Sequence, residues 1–194
     1  MLRQFIYLVV ACYAAGLKAE WVIDPEGSYV GFASVKNELI AENHSFTALS
    51  GTVSDAGQAR VEIALTSVDT LIPIRNERIQ SMLFETERFP IAVASADITI
   101  ADFTSMANGE SKILPIELTV DLHGNTLTKA VLVKVSRAGE GIYDVTSLGP
   151  LVIHASQFAL AAGIEALRKI AGLQSIDPMV PVAFDLRVVR AKTD

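Results

Sequence analysis

The stretch Ile113-Leu114-Pro115-Ile116-Glu117-Leu118-Thr119-Val120-Asp121-Leu122-His123-Gly124-Asn125-Thr126-Leu127-Thr128-Lys129-Ala130-Val131-Leu132-Val133-Lys134-Val135 reads as two alternating apolar and polar runs folded about a turn at His123-Gly124-Asn125. A period of two marks strands with one face buried and one wet. So short a gap joins antiparallel neighbours, because a parallel crossover needs roughly a dozen residues or more. The same alternation recurs outward from this hairpin, at residues 28–35, 46–53, 60–65, 91–100, 141–147, 151–155 and 180–189. Turn-forming clusters separate the runs: Asp24-Pro25-Glu26-Gly27, Asp55-Ala56-Gly57, Asn108-Gly109, Gly139-Glu140-Gly141 and Gly149-Pro150.

Two segments break the period. Residues 75–84 read as a short helix with Ile79, Met82 and Leu83 on one side, starting after Pro73 and ending before Pro90. Residues 164–171, between Gly163 and Gly172, read as two further helical turns. Both suit covers or corners rather than a separate layer. The expected fold is therefore all-β, an extended eight-stranded antiparallel barrel with one or two short helices covering its ends. Closure removes exposed sheet edges; a sandwich is the competing architecture. An eight-stranded interior is either filled by side chains or just wide enough for one small ligand. Gly31, Ala33, Ala48, Gly51, Ala64, Ala92, Ala94 and Ala96 favour the roomy outcome if they face inward. Periodicity does not say which face each occupies.

Residues 1–19 carry one early basic residue, Arg3, an apolar run of 11 residues from Phe5 to Ala15, and a short tail ending in Leu17-Lys18-Ala19. That order predicts a secretory leader cleaved after Ala19 and an exported, periplasmic or secreted protein. The run is too short for a stable membrane span, which needs roughly 20 residues. Val9-Val10-Ala11-Cys12 gives the competing reading of a lipoprotein acylated at Cys12. Cys12 is the chain's single cysteine, so cleavage after Ala19 leaves residues 20–194 as one domain with no thiol for disulfides or metal. Losing Arg3 and Lys18 leaves 14 basic side chains against 22 acidic ones, a net charge of about −8, which argues against nucleic acid as a partner. The basic patches at residues 75–78 and at Arg168-Lys169 are too small to reverse that.

Catalytic patterns are missing. His44, His123 and His154 lie in separate segments without zinc-motif spacing, and no nucleophile elbow, phosphate loop or dinucleotide fingerprint occurs. Glu85-Thr86-Glu87 is the one close acidic pair near an expected opening, and residues two apart in a loop seldom face a common point. The expectation is a protein without catalytic residues, metal ligands or cofactor.

The segment Arg75-Asn76-Glu77-Arg78-Ile79-Gln80-Ser81-Met82-Leu83-Phe84-Glu85-Thr86-Glu87-Arg88-Phe89-Pro90 resembles the signature of the YceI-like family: Arg, then Asn or Asp, an apolar helix face, Phe, and an aromatic-Pro close. Residues 28–36 are similar to that family's first long strand, and residues 46–51 to its Phe-to-Gly strand. Residues 118–126 resemble its Leu-Thr turn, and Phe158 with Gly163-Ile164 its terminal element. The likeness spans about residues 20 to 190. It implies a lipocalin-like barrel in the periplasm that encloses a polyisoprenoid or other lipid-like ligand. Two family histidines are replaced here, by Asn37 and Arg78, which removes the ground for any haem or metal role.

On motif position and apolar character, Phe32, Phe46, Ile79, Leu83, Phe84, Phe89 and Phe158 are the candidates for lining the tunnel or its mouth. Arg75 and Arg78 are candidates to meet a polar head group at the entrance; Arg75 could equally tie the helix to the barrel by hydrogen bonds. A carrier of an amphiphilic apolar molecule is the leading reading, and a homodimer is compatible with it. The rivals are a hydrolase or isomerase acting on a lipid-like substrate, and a ligand-free structural or stress protein with a packed interior.

Overall fold

The computed structural model describes residues 19–191. The expected leader up to Lys18, with Cys12, lies outside the described residues. In chain order the elements are β1 (Ala19–Lys36), β2 (Ile40–Phe46), β3 (Leu49–Ser54), β4 (Gln58–Ala64), β5 (Val68–Asp69), α1 (Pro73–Arg78), β6 (Ile91–Asp97) and α2 (Ile100–Thr104). They continue as β7 (Ser111–Leu122), β8 (Asn125–Gly139), β9 (Ile142–Ser147), β10 (Leu151–His154), α3 (Ala161–Ile170) and β11 (Met179–Arg190).

Among the described residues, β1, β3, β4, β6, β7, β8, β9 and β11 pair in that order, and β11 returns to β1 from Trp21 opposite Arg190 to Phe32 opposite Val182. The result is a closed eight-stranded antiparallel barrel, as the alternation predicts, and closure displaces the sandwich. Two wall positions are shared. β2 replaces β3 along the second half of β1, and β10 replaces β9 along the first half of β11. The opening hairpin turns through His123 (φ 51°) and Gly124 (φ 73°), the pair of left-handed residues that a tight two-residue turn requires.

Three local expectations are corrected by tertiary contacts. Asp24-Pro25-Glu26-Gly27 is a bulge inside β1 rather than a turn: between Asp24 and Tyr29 the strand inserts extra residues against the two steps from Arg187 to Asp185. Ser28 Oγ donates to the Asp24 carbonyl at 2.7 Å and accepts from Arg187 N at 2.9 Å, so the bulge is stitched to both strands. Residues 46–53 are not one strand. The chain kinks at Thr47-Ala48, where Ser67 Oγ accepts from both backbone N–H groups, at 3.1 and 3.0 Å, and so satisfies donors that left the ladder. The strand expected to run to Ile100 stops at Asp97; the chain then forms α2, which sequence reading did not anticipate because it has only five residues.

The two expected helices also differ in their limits. The first begins at Pro73, where a missing N–H costs nothing, and beyond Arg78 it widens into a π-helical turn, Ile79–Leu83, with Phe84 N bonded to the Ile79 carbonyl. α3 starts at Ala161 and runs through Gly163, which therefore does not bound it. A Cβ at Gly163 would stand 2.7 Å from the Met82 carbonyl oxygen and 2.8 Å from Leu83 Cα, so glycine lets α3 lie directly on the π turn.

The buried side chains form two clusters, one near each end of the barrel. Leu65, Val68, Ile79, Phe84, Leu122 and Phe158 pack under α1 and α3; Trp21, Val53, Met106, Val133, Val135 and Tyr143 pack against α2.

An apolar tunnel with a polar mouth as candidate functional site

Between the clusters the barrel is hollow. A cavity of about 260 Å³ runs from Trp21, Ile98, Phe103 and Tyr143 at the α2 end to Phe32, Phe46, Leu83, Phe84, Leu160 and Ile164 at the α1 and α3 end. Its walls are the inward half of each alternation: Val61 and Ile63 on β4, Ile116, Leu118 and Val120 on β7, Val182, Phe184 and Leu186 on β11. Of the eight small residues, Ala92, Ala94 and Ala96 on β6 line the space. Gly31 and Ala33 alternate with the lining residues Val30 and Phe32 and so face outward, and the exposed Tyr29 ring lies over Gly31. Three alanines in a row on one inner face are the immediate reason that the middle of the barrel is open. An engineered cavity of about 150 Å³ holds benzene, so at the same packing this one accommodates about ten carbons.

The candidate residues separate into groups. Phe32, Phe46, Leu83 and Phe84 line the cavity, and the rings of Phe32–Phe46 and Phe46–Phe84 lie 5.5 and 6.0 Å apart. Ile79 and Phe158 stand behind that wall in the packed cluster, Phe158 with no exposed surface. Phe89 packs on the His123 ring, centroids 4.4 Å apart, away from the lining. Arg75 ties the helix to the barrel: Nη2 donates to the Thr70 carbonyl at 2.6 Å and Nη1 to Glu42 Oε2 at 2.9 Å. Arg78, half-buried, closes α1. Glu85 pairs with Arg88 at 2.8 Å and Glu87 is exposed, so these carboxylates do not converge.

Sequence reading missed a polar cluster next to Phe32 and Phe46 at the α1 end of the barrel. On β1 and β2 the cross-strand pairs Val30 with Phe46, Phe32 with His44, Ser34 with Glu42 and Lys36 with Ile40 share the inner face. Reading outward, that face passes from carbon to hydrogen-bonding groups to charge. The signal was present as the alternation of Phe32, Ser34 and Lys36 continuing past the apolar residues. His44 is 5% exposed and its Nε2 lies 2.9 Å from Ser34 Oγ; burial, and then the Arg75 charge, push its pKa down, which keeps the ring neutral. Its Nδ1, and Nε of Arg75, are buried without a hydrogen-bond partner.

Glu42 accepts from Lys36 Nζ at 2.8 Å as well as from Arg75, and the Lys36 hydrogen bond, with that of Arg75, holds its carboxyl below the usual 4.5. A depressed carboxylate contributes stability that is complete above the unfolded pKa and is lost as pH falls through the folded one. Glu42→Gln should therefore cost about 1 kcal/mol at neutral pH, and the gap from wild type should close as pH falls below 4.5. Urea unfolding at several pH values measures this; a gap independent of pH would assign Glu42 no ionic role.

Among the described residues no group of acidic, His or Cys side chains is placed to hold a metal ion, and no helix is long and apolar enough to cross a membrane. A family model described as the YceI-like domain matches residues 21–188. No curated protein matches the chain. Among solved structures, a polyisoprenoid binding domain from Saccharophagus degradans, implicated in plant cell wall breakdown, is 35% identical, with a TM-score of 0.88 over 90% of this chain and 100% of that one. BcnA of Burkholderia cenocepacia is 18% identical, with a TM-score of 0.65 over 85% of this chain and 98% of its own. The Campylobacter jejuni YCEI protein is 15% identical, with a TM-score of 0.54 over 98% of this chain and 100% of its own. These last two show the fold alone.

Proposed function

Because the chain belongs to the YceI-like family, we propose that it holds the hydrocarbon part of a polyisoprenoid or similar lipid inside its barrel and carries or sequesters it without altering it. One observation carries this reading: the inner faces leave a continuous apolar space where a structural barrel would be plugged by its own side chains. Burying apolar surface is worth about 25 cal/mol per Å², so a chain threaded through such a space needs no charged anchor. The similar Saccharophagus degradans domain, described as polyisoprenoid binding, supports the same ligand class. Phe32, Phe46, Leu83 and Phe84 would touch the chain, and Arg75 and Arg78 stand on α1 at the same end of the barrel. The early apolar run from Phe5 to Ala15 supports export and, with it, a role in the bacterial envelope.

The single tryptophan supplies the test, since Trp21 lines the tunnel at the α2 end. Titrating the protein with farnesane, a branched hydrocarbon with no head group, should change Trp21 emission saturably. Organic extraction of protein purified from its native host should release a prenyl-type lipid. An unchanged emission together with a lipid-free extract would count against the carrier reading.

A further inference from the structure

We propose that the ligand enters and leaves the barrel sideways, through a seam between β8 and β10 that Lys129 latches to the Val152 carbonyl. This rests on the tunnel reading above and adds the route by which the tunnel fills.

The seam is where the wall lacks a hydrogen-bonded ladder. β9 pairs with β8 only from Val133, opposite Ser147, to Gly139, opposite Ile142. One further bond, from Leu148 N to the Leu132 carbonyl at 3.0 Å, ends that contact, and the chain then leaves β8 through Gly149-Pro150. When it returns as β10, it pairs with β11 alone. Among the described residues, β8 from Asn125 to Val131 is thus paired with β7 on one side and with no strand on the other.

Lys129 sits in this gap. Its cross-strand partner on β7 is Leu118, and the partners of Leu127 and Val131, two residues to either side, are Val120 and Ile116. All three β7 residues line the cavity, so Lys129 occupies an inward position in an apolar row. An ammonium left among those side chains would carry a heavy desolvation penalty. Instead the side chain turns out through the gap, and Nζ donates to the Val152 carbonyl of β10 at 2.7 Å. One side-chain bond stands where neighbouring strands would exchange several backbone bonds.

The rim suits an apolar chain. Leu132, Leu148 and Val152 are exposed on the outside, while Leu151 and Ile153, on either side of Val152, line the cavity. A hydrocarbon passing between β8 and β10 therefore meets carbon outside the wall and within it. The two ends of the barrel resist more. At one, Leu65, Ile79, Phe84 and Phe158 are packed under α1 and α3; at the other, Met106 and Tyr143 are buried against α2. Opening an end exposes that buried apolar surface, whereas opening the seam breaks no backbone ladder and a single charge-assisted hydrogen bond near the surface.

Stopped-flow mixing with farnesane, read by Trp21 emission, tests the route. Lys129→Met keeps the length of the side chain and removes the donor. The latch is the same in the empty and the filled barrel, so its loss should raise the association and dissociation rates together, each by about 10-fold, and leave their ratio nearly unchanged. A lysine with a merely structural role would alter stability or affinity without moving both rates in step. The converse protein carries Thr128→Cys and Val152→Cys, two exposed positions facing each other across the seam, on a Cys12→Ser background. Bridging the two cysteines with a short bis-thiosulfonate should slow both rates by about 10-fold, and reducing the bridge should restore them. The bridged protein keeps Lys129, so it answers independently of how the first variant folds. Rates that ignore the bridge, or that ignore the loss of Lys129, would overturn the side entrance while leaving the tunnel standing. Failure of farnesane to bind the wild-type protein would remove the tunnel reading itself, and this proposal with it.

Discussion

Ala94→Phe should weaken binding of apolar chains by about two orders of magnitude while leaving the barrel folded. Ala94 lies midway along β6, opposite Val61 of β4 and Val120 of β7, and all three line the cavity. A benzyl group there fills the space in which the chain must pass. Each methylene displaced into water forfeits about 0.8 kcal/mol, so losing four of them lowers affinity by about 200-fold. Overpacking normally strains a dense core, but here the added ring enters empty volume, and stability to urea should stay level or rise. The control is Ala130→Phe on β8, an exposed position that should leave binding unchanged. An Ala94→Phe protein that folds and still takes up farnesane with wild-type affinity would show that the central cavity is not the binding path.

Phe158→Ala should produce the largest loss of stability, about 3–5 kcal/mol. Set against the 5–15 kcal/mol typical of a whole domain, that brings the variant near unfolding. Its ring has no exposed surface and sits among Leu65, Ile79, Phe84 and Leu122. The turn that carries it, Ala155–Phe158, is capped from both sides: His154 Nδ1 lies 2.7 Å from Ser156 Oγ, and Gln157 Oε1 accepts from His154 N at 2.8 Å. Ala159 then leaves in the left-handed region at φ 56°. Backbone geometry is thus spent on holding one ring behind the tunnel wall. A ligand-lining phenylalanine would behave differently, losing affinity on truncation with a small change in the urea midpoint. Chemical denaturation of the variant beside its farnesane titration separates the two roles.

Phe158 and Ala94 also mark where sequence reading stops. Motif position grouped Phe158 with Phe32, Phe46 and Phe84 because all are aromatic residues in matching segments. Their division into wall and backing depends on which way the 155–158 turn faces once α3 lies on the π turn. Ala94 stood among eight small residues, three of which line the cavity, because the alternation that reveals a strand is unchanged when its two faces are exchanged. His44, Ser34, Lys36 and Glu42 were legible only as polar members of alternating runs. Their cooperation with Arg75, 33 residues beyond Glu42, arises where α1 meets the edge of β2.

By itself the sequence determined the strand period, the hairpin at His123-Gly124, the antiparallel order that short connections enforce, and helical breaks near residues 75–84 and 164–171. These are local properties, set by side-chain alternation and backbone preference within a few residues. Only the tertiary structure decided that β11 closes on β1, that Asp24 to Tyr29 is absorbed as a bulge, and that the inner face is lined by alanine on β6 and continues into a polar cluster on β1 and β2. Those outcomes depend on pairing between residues far apart in the chain, and a pattern of period two carries no record of its partner or of its inside.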